Sequence, residues 1–133
     1  MSTSIAEQAK APIVEGFARF WTDPNTDILP QILAEDVVGY FAGQPGPLHG
    51  RKPYIAWIAR LLEQLPDLRL EVTVHATNGD ATFIQWIARA TGNNGPFEFS
   101  GIDLITVRDG LVTENTVVFD TALLRTLSGL EPA

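Results

Sequence analysis

Phe97-Glu-Phe-Ser-Gly-Ile-Asp-Leu-Ile-Thr-Val-Arg-Asp-Gly-Leu-Val-Thr-Glu-Asn-Thr-Val-Val-Phe119 consists of two β-rich runs on either side of Asp109-Gly110. Asp-Gly is a strong hairpin signal, because both central residues of a type I′ turn need positive φ. The runs Phe97–Val107 and Leu111–Phe119 therefore read as paired antiparallel strands. Upstream, Gly92-Asn-Asn-Gly95 turns the chain and Ala81–Thr91 is a further strand. Asn78-Gly79 marks another hairpin. Before it Leu68, Leu70, Val72 and Val74 alternate with Arg69, Glu71, Thr73 and His75, the period of a strand. The C-terminal half is thus a four-strand meander.

The N-terminal half has a different period. Ser4 and Glu7 fit a capping box. Ile13, Phe17, Phe20 and Trp21 recur at helical spacing, so a first helix runs to about Thr22. Pro24 and Asn25 break it. Asp27 can cap a second helix through Leu33, with Pro30 tolerated in its first turn. Val37–Phe41 is a strand, and Gly43–Gly50 is a loop by its Pro and Gly density. Pro53 suits the start of a third helix whose Tyr54, Trp57, Ile58, Leu61, Leu62 and Leu65 share one face. Pro66 ends it. Thr121–Leu127 is a short closing helix, and Gly129 suits its end. The order is α-α-β-α-β-β-β-β plus a short C-terminal helix. Helices segregated from a meander indicate the α+β class. No internal linker divides residues 1–133, so one domain is expected.

With 133 residues, 45% of them apolar and 19% charged, the chain has a globular composition and can bury one sizeable core. A net charge of −7 argues against nucleic acid and anionic membrane surfaces as partners, since both select basic patches. There is no cysteine, which excludes disulfides, thiolate nucleophiles and Cys-based metal sites. The two histidines stand far apart and form no HxxxH or HxH pattern, so no metal is expected. No P-loop or GxGxxG is present, and no cofactor is implied. The first residues lack the pattern of a signal peptide, and no apolar run approaches the roughly 18–20 residues of a membrane span. A cytoplasmic protein is the expectation.

Register follows from the turns. A two-residue Asp109-Gly110 loop pairs Arg108 with Leu111, which sets Asp103 opposite Thr116, Gly101 opposite Val118 and Phe99 opposite Asp120. A four-residue Gly92–Gly95 loop sets Gly101 opposite Trp86 and Phe99 opposite Ala88. Opposed residues share a face. One face then carries Ile84, Trp86, Ala88, Phe99, Gly101, Asp103, Thr116, Val118 and Asp120. The other carries Phe83, Gln85, Ile87, Ile102, Leu104, Val117 and Phe119. A one-residue bulge would exchange the faces beyond it. Both faces are largely apolar. The helices can cover one, and the other is left for a second copy of the chain. Asp103 and Asp120 lie on the same apolar face, about 13 Å apart along the strand, too far for a close dyad. Each needs a reason, because an ionised carboxylate is expensive there.

Several segments carry a family resemblance: Leu33-Ala-Glu-Asp36, Pro47-Leu-His-Gly50-Arg51, Val107-Arg-Asp-Gly110 and Val118-Phe-Asp120-Thr121-Ala-Leu-Leu-Arg125. In this order they resemble the nuclear transport factor 2-like superfamily, and most closely its SnoaL-like polyketide cyclase branch. The resemblance implies a cone-shaped fold, a curved antiparallel sheet around an apolar pocket. Asp120 matches the last-strand aspartate that resembles the acid/base of SnoaL-like cyclases. Asp103 matches the oxyanion-hole aspartate of ketosteroid isomerases. The isomerase general-base and oxyanion-tyrosine positions are filled here by Phe41 and Phe17. The Arg and second Asp positions of limonene epoxide hydrolases are filled by Trp86 and Ala88. Steroid isomerase and epoxide hydrolase activities are therefore not expected.

Each candidate has a plain structural reading beside the functional one. Asp120 is a proton shuttle or the cap of the helix at Thr121. Asp103 donates to a ligand oxyanion, or accepts from Thr116, Tyr40 or another hydroxyl. Trp86 is core or cavity wall. His49 is a solvated loop residue or a gate. The expected wall is Phe17, Tyr40, Trp57, Trp86, Phe99 and Val118, with His49 at the loop. The expected ligand is a small hydrophobic molecule. Two functions compete: a cofactor-free cyclase or isomerase in which Asp120 moves a proton beside a carbonyl and Asp103 steadies the enolate, and a non-catalytic binding or dimerisation module. A homodimer through the convex sheet face, around Phe83, Ile87, Ile102, Leu104, Val117 and Phe119, is expected under either.

Overall fold

The computed structural model describes residues 2–129, with side chains from Pro12 onward, so the Ser4–Glu7 capping box falls outside the described side chains. The elements are α1 (Ser2–Thr22), a 3-10 turn (Thr26–Ile28) running into α2 (Leu29–Ile32), β1 (Leu33–Phe41), β2 (Leu48–His49), α3 (Arg51–Gln64), β3 (Arg69–Asn78), β4 (Ala81–Gly92), β5 (Gly95–Arg108), β6 (Leu111–Phe119) and α4 (Thr121–Ser128). The expected order is present, with β2 added inside the Pro/Gly loop. Asn25 caps the 3-10 turn in place of Asp27: its side chain accepts from the Asp27 N–H at 3.0 Å, because Asp27 itself lies inside the turn.

The six strands form one curved, unclosed sheet in the order β2-β1-β6-β5-β4-β3. β3 to β6 are the antiparallel meander. β1 joins β6 in parallel, so the sheet is mixed and not purely antiparallel. Alternation within β1 reports a half-buried strand but not the direction of a partner so distant in sequence. On the concave side, α1 packs against β3 and β4 and α3 against β1. Phe20, Trp21, Tyr54 and Ile58 from these helices join Val37, Ile84 and Trp86 from the sheet in one core. No helix among the described residues is long and apolar enough to cross a membrane.

The β4–β5 register is the expected one, with Trp86 opposite Gly101 and Phe99 opposite Ala88. The β5–β6 turn is also as expected. Asp109 (φ 54°) and Gly110 (φ 80°) both occupy the left-handed region, and Arg108 pairs with Leu111. Beyond the turn the expected pairing fails. Val107 pairs with Val112 but Thr106 pairs with Glu114, so Thr113 is an extra residue in β6. Asp103 consequently opposes Val117, not Thr116, and Gly101 opposes Phe119, not Val118. Phe99 has no partner at Asp120, because β6 ends at Phe119.

The bulge has a physical reason. Without it Glu114 would share the inner face with buried Ile105, at the cost of burying an unpaired charge. With it Asn115, Val117 and Phe119 turn inward, while Glu114, Thr116 and Val118 turn outward. A second bulge at Thr73 turns Val74 outward in the same way.

Candidate functional site

The helices and the concave sheet face enclose a cavity of about 320 Å³, within the usual range for small-molecule sites. Its wall is almost wholly apolar. Phe41 and Trp57 stack there with ring centroids 4.0 Å apart, and Trp86 and Phe99 meet edge to face. Among the described residues Asp103 and Tyr54 are the ionisable side chains in the wall, and no Lys, Arg or His lines it.

Asp103 points inward from β5 and is 5% exposed. Trp86, on the neighbouring strand, faces Gly101 two residues before it. A Cβ built on Gly101 would overlap the Trp86 ring, so the glycine leaves the space in which the indole lies. The Trp86 Nε1–H then donates to Asp103 Oδ1 at 2.8 Å. From β6, Asn115 Nδ2 donates to Asp103 Oδ2 at 2.9 Å and to the Tyr54 hydroxyl oxygen, also at 2.9 Å. Thr113 is what brings Asn115 here, since without the bulge it would face outward.

Burial pushes the Asp103 carboxyl up to about 6, even though the hydrogen bonds from Asn115 and Trp86 pull it down. A carboxyl titrating just below neutrality can both take up and release a proton under ordinary conditions. Burial also raises the Tyr54 hydroxyl well above the usual phenol range, against the hydrogen bond from Asn115, and the Asp103 charge adds to the rise. Tyr54 therefore stays protonated.

Of the expected wall residues, Phe17, Trp57, Trp86 and Phe99 line the cavity together with Asp103. The others lie elsewhere. Val118 faces outward and is 60% exposed, the consequence of Thr113. Tyr40 points out of β1 between inward Gly39 and Phe41, and is also exposed. His49 is exposed in β2 at the sheet edge and does not reach the wall. Asp120 is exposed and lies past the end of β6, where its side chain accepts from the Leu123 N–H at 3.0 Å and caps α4. The inner-face position expected for it is thus corrected. The partners expected for Asp103 are corrected too, since Trp86 and Asn115 hold it and Thr116 and Tyr40 do not.

Sequence reasoning placed Tyr54 on the buried face of its helix but gave it no role, and it missed Asn115. The available signal was Glu114, a charge that the unbulged register would bury. Among the described residues no cluster of three or more His, Cys, Asp or Glu could hold a metal ion.

A family model described as the SnoaL-like domain matches residues 14–115. No curated protein matches the sequence. Among solved structures, one assigned as a SnoaL-like polyketide cyclase from Jannaschia sp. CCS1 is 20% identical, with 91% of each chain covered and a TM-score of 0.79. A protein with a ketosteroid isomerase-like fold from Catenulispora acidiphila DSM 44928, solved with trimethylamine, is 22% identical over 90% of this chain and 93% of that one, also with a TM-score of 0.79. IdmH from Streptomyces antibioticus, assigned as a polyketide cyclase, is 20% identical over 88% of this chain and 96% of its own, with a TM-score of 0.75. At these identities the likeness establishes the cone fold alone.

Proposed function

We propose that this chain, which belongs to the SnoaL-like domain family, binds a small neutral apolar molecule bearing a carbonyl group and moves a proton on it with Asp103, without a cofactor. One observation carries this reading. Among the described residues Asp103 is the sole acidic side chain in a largely apolar cavity wall, and it is buried and held by Trp86 and Asn115. Such a carboxylate can take the proton from a carbon next to the carbonyl. The C–H bond breaks, an O–H bond forms on Asp103, and the electron pair moves to the carbonyl oxygen as an enolate. Delivery of the proton to a different carbon of a conjugated enolate completes an isomerisation. Attack of the enolate carbon on a second carbonyl, with the Asp103 proton passing to the alkoxide so formed, completes a cyclisation. The assignments of the Jannaschia and Streptomyces proteins as polyketide cyclases support the same class. Anionic substrates fit poorly, because no cation among the described residues lines the wall.

The test uses methyl naphthyl ketone in deuterium oxide. The wild-type protein is expected to exchange the protons of the ketone's methyl group, followed by NMR, and Asp103→Asn to bind the ketone without exchanging them. Binding without exchange in the wild type would leave a non-catalytic binding module. Exchange undiminished in Asp103→Asn would remove Asp103 from the chemistry.

The proposal includes a homodimer through the convex face. Phe83, Ile102 and Val118 are exposed there, with Ile87 and Leu104 beside them half-buried. Val117 and Phe119, expected in that interface, face the cavity instead. A patch of this kind suits an interface of about 800 Å² per partner.

A further inference from the structure

We propose that the Tyr54 hydroxyl donates the hydrogen bond that holds the substrate's carbonyl oxygen, and that Asn115 is the positioning residue that keeps this hydrogen free. The proposal rests on the carbonyl reading above and names a second residue for it. A phenol has one hydrogen to donate and lone pairs to accept with. Tyr54 accepts from Asn115 Nδ2 at 2.9 Å, and among the described residues no hydrogen bond takes its own hydrogen. Tyr54 is 4% exposed and lines the cavity. A buried donor without an acceptor is costly, so a ligand oxygen that reaches it is favoured.

The orientation of Asn115 follows from Asp103. An ionised carboxylate only accepts, so the amide nitrogen must face it. One amide hydrogen goes to Asp103 Oδ2 and the other to the Tyr54 oxygen, and the Asn115 Oδ1 is left buried and unpartnered. Turning the amide over would set that oxygen against the carboxylate. Asn115 thus spends one hydrogen on Asp103 and the other in keeping Tyr54 an acceptor toward itself, and the phenolic hydrogen has no partner within the network. The Trp86 N–H is already committed to Asp103. Tyr54 is therefore the one member of the network among the described residues with a hydrogen to offer. As Asp103 takes the proton, charge gathers on the carbonyl oxygen and the Tyr54 hydrogen bond strengthens. The position that the family resemblance gives to the isomerase tyrosine holds Phe17, on α1, whereas Tyr54 approaches from α3.

The experiment follows methyl naphthyl ketone, labelled with carbon-13 at its carbonyl, bound to the full chain, with ethylnaphthalene as the ligand lacking the oxygen. In the wild type the carbonyl resonance is expected downfield of its position in hexane. Tyr54→Phe should return it to the hexane position and weaken ketone binding by roughly five- to tenfold, the effect of one neutral hydrogen bond. Ethylnaphthalene should bind both proteins equally, which shows the cavity intact. Asn115→Leu frees the Tyr54 hydrogen to turn toward Asp103, and the resonance should move part of the way back. A wild-type resonance at the hexane position overturns the proposal without any variant, as does a downfield resonance that survives Tyr54→Phe. Deuterium exchange without a Tyr54-dependent shift overturns Tyr54 alone. A Tyr54-dependent shift without exchange overturns the proton transfer and leaves Tyr54 in place. A wild-type protein that binds neither naphthalene overturns both.

Discussion

The Trp86 indole N–H donates to Asp103 Oδ1 at 2.8 Å by lying across Gly101, in the space a side chain there would fill. Gly101 is therefore part of the site although it contributes no atom to the chemistry. Gly101→Ala forces the indole to move within a packed core, and overpacking of this kind costs about 1–3 kcal/mol. Urea unfolding of Gly101→Ala against the wild type checks the cost, and tryptophan fluorescence checks the movement. An unchanged midpoint and spectrum would mean that the indole yields without strain.

Most of the architecture was legible because it depends on local rules. Asp109-Gly110 meets the positive φ demand of its turn, and the alternation from Leu68 onward and the helical spacing of Phe17 and Trp21 each state a period. The site was less legible because it depends on one residue, Thr113. Every inner position of β6 past Thr113 is displaced by one, which exchanges Val118 for Val117 and brings in Asn115. Asp103, Trp86 and Phe99 were placed on the correct face because the β4–β5 pairing has no bulge. Tyr54 and Asn115 come together from α3 and β6, a contact between residues far apart in the chain that no periodicity encodes.

Asp120 tests the separation of cap from site. Its carboxylate accepts from Leu123 N–H at the start of α4 and does not line the cavity. Asp120→Asn keeps a capping oxygen and is expected to leave both stability and ketone exchange unchanged. Asp120→Ala should cost about 1 kcal/mol through the lost cap and again spare exchange. Loss of exchange in Asp120→Asn, in a variant as stable as the wild type, would return the acid/base role to Asp120.

The convex face makes its own test. Val118 is 60% exposed and Ile102 42%. If a second copy covers them, a charge at either position is buried unpaired in the interface. Ile102→Glu is expected to turn a dimer into a monomer in sedimentation equilibrium, without loss of ethylnaphthalene binding. A wild-type monomer at micromolar concentration would sink the dimer before any variant is made.

The pH dependence of stability isolates Asp103. Its carboxyl is raised from 3.8 to about 6, chiefly by burial. A raised carboxyl means that the folded state holds a proton more tightly than the unfolded state. Its contribution to stability is therefore fully present below about 3.8 and is lost as pH rises through about 6. The size of that loss is about 3 kcal/mol at 1.36 kcal/mol per pKa unit. Asp103→Asn has no charge to bury, and Asn115 can turn its amide to meet the new one. Other groups that titrate on unfolding, such as Asp67, held low by its hydrogen bonds to Thr91, do so in both proteins and cancel in the difference. The stability of Asp103→Asn relative to wild type is thus expected to rise by about 2 kcal/mol between pH 4 and pH 8, most of the full loss, measured by urea unfolding at each pH. A difference that stays flat would make Asp103 an ordinary carboxylate. A difference that falls with pH would mean that Trp86 and Asn115 outweigh burial, so that the folded state prefers the charged form.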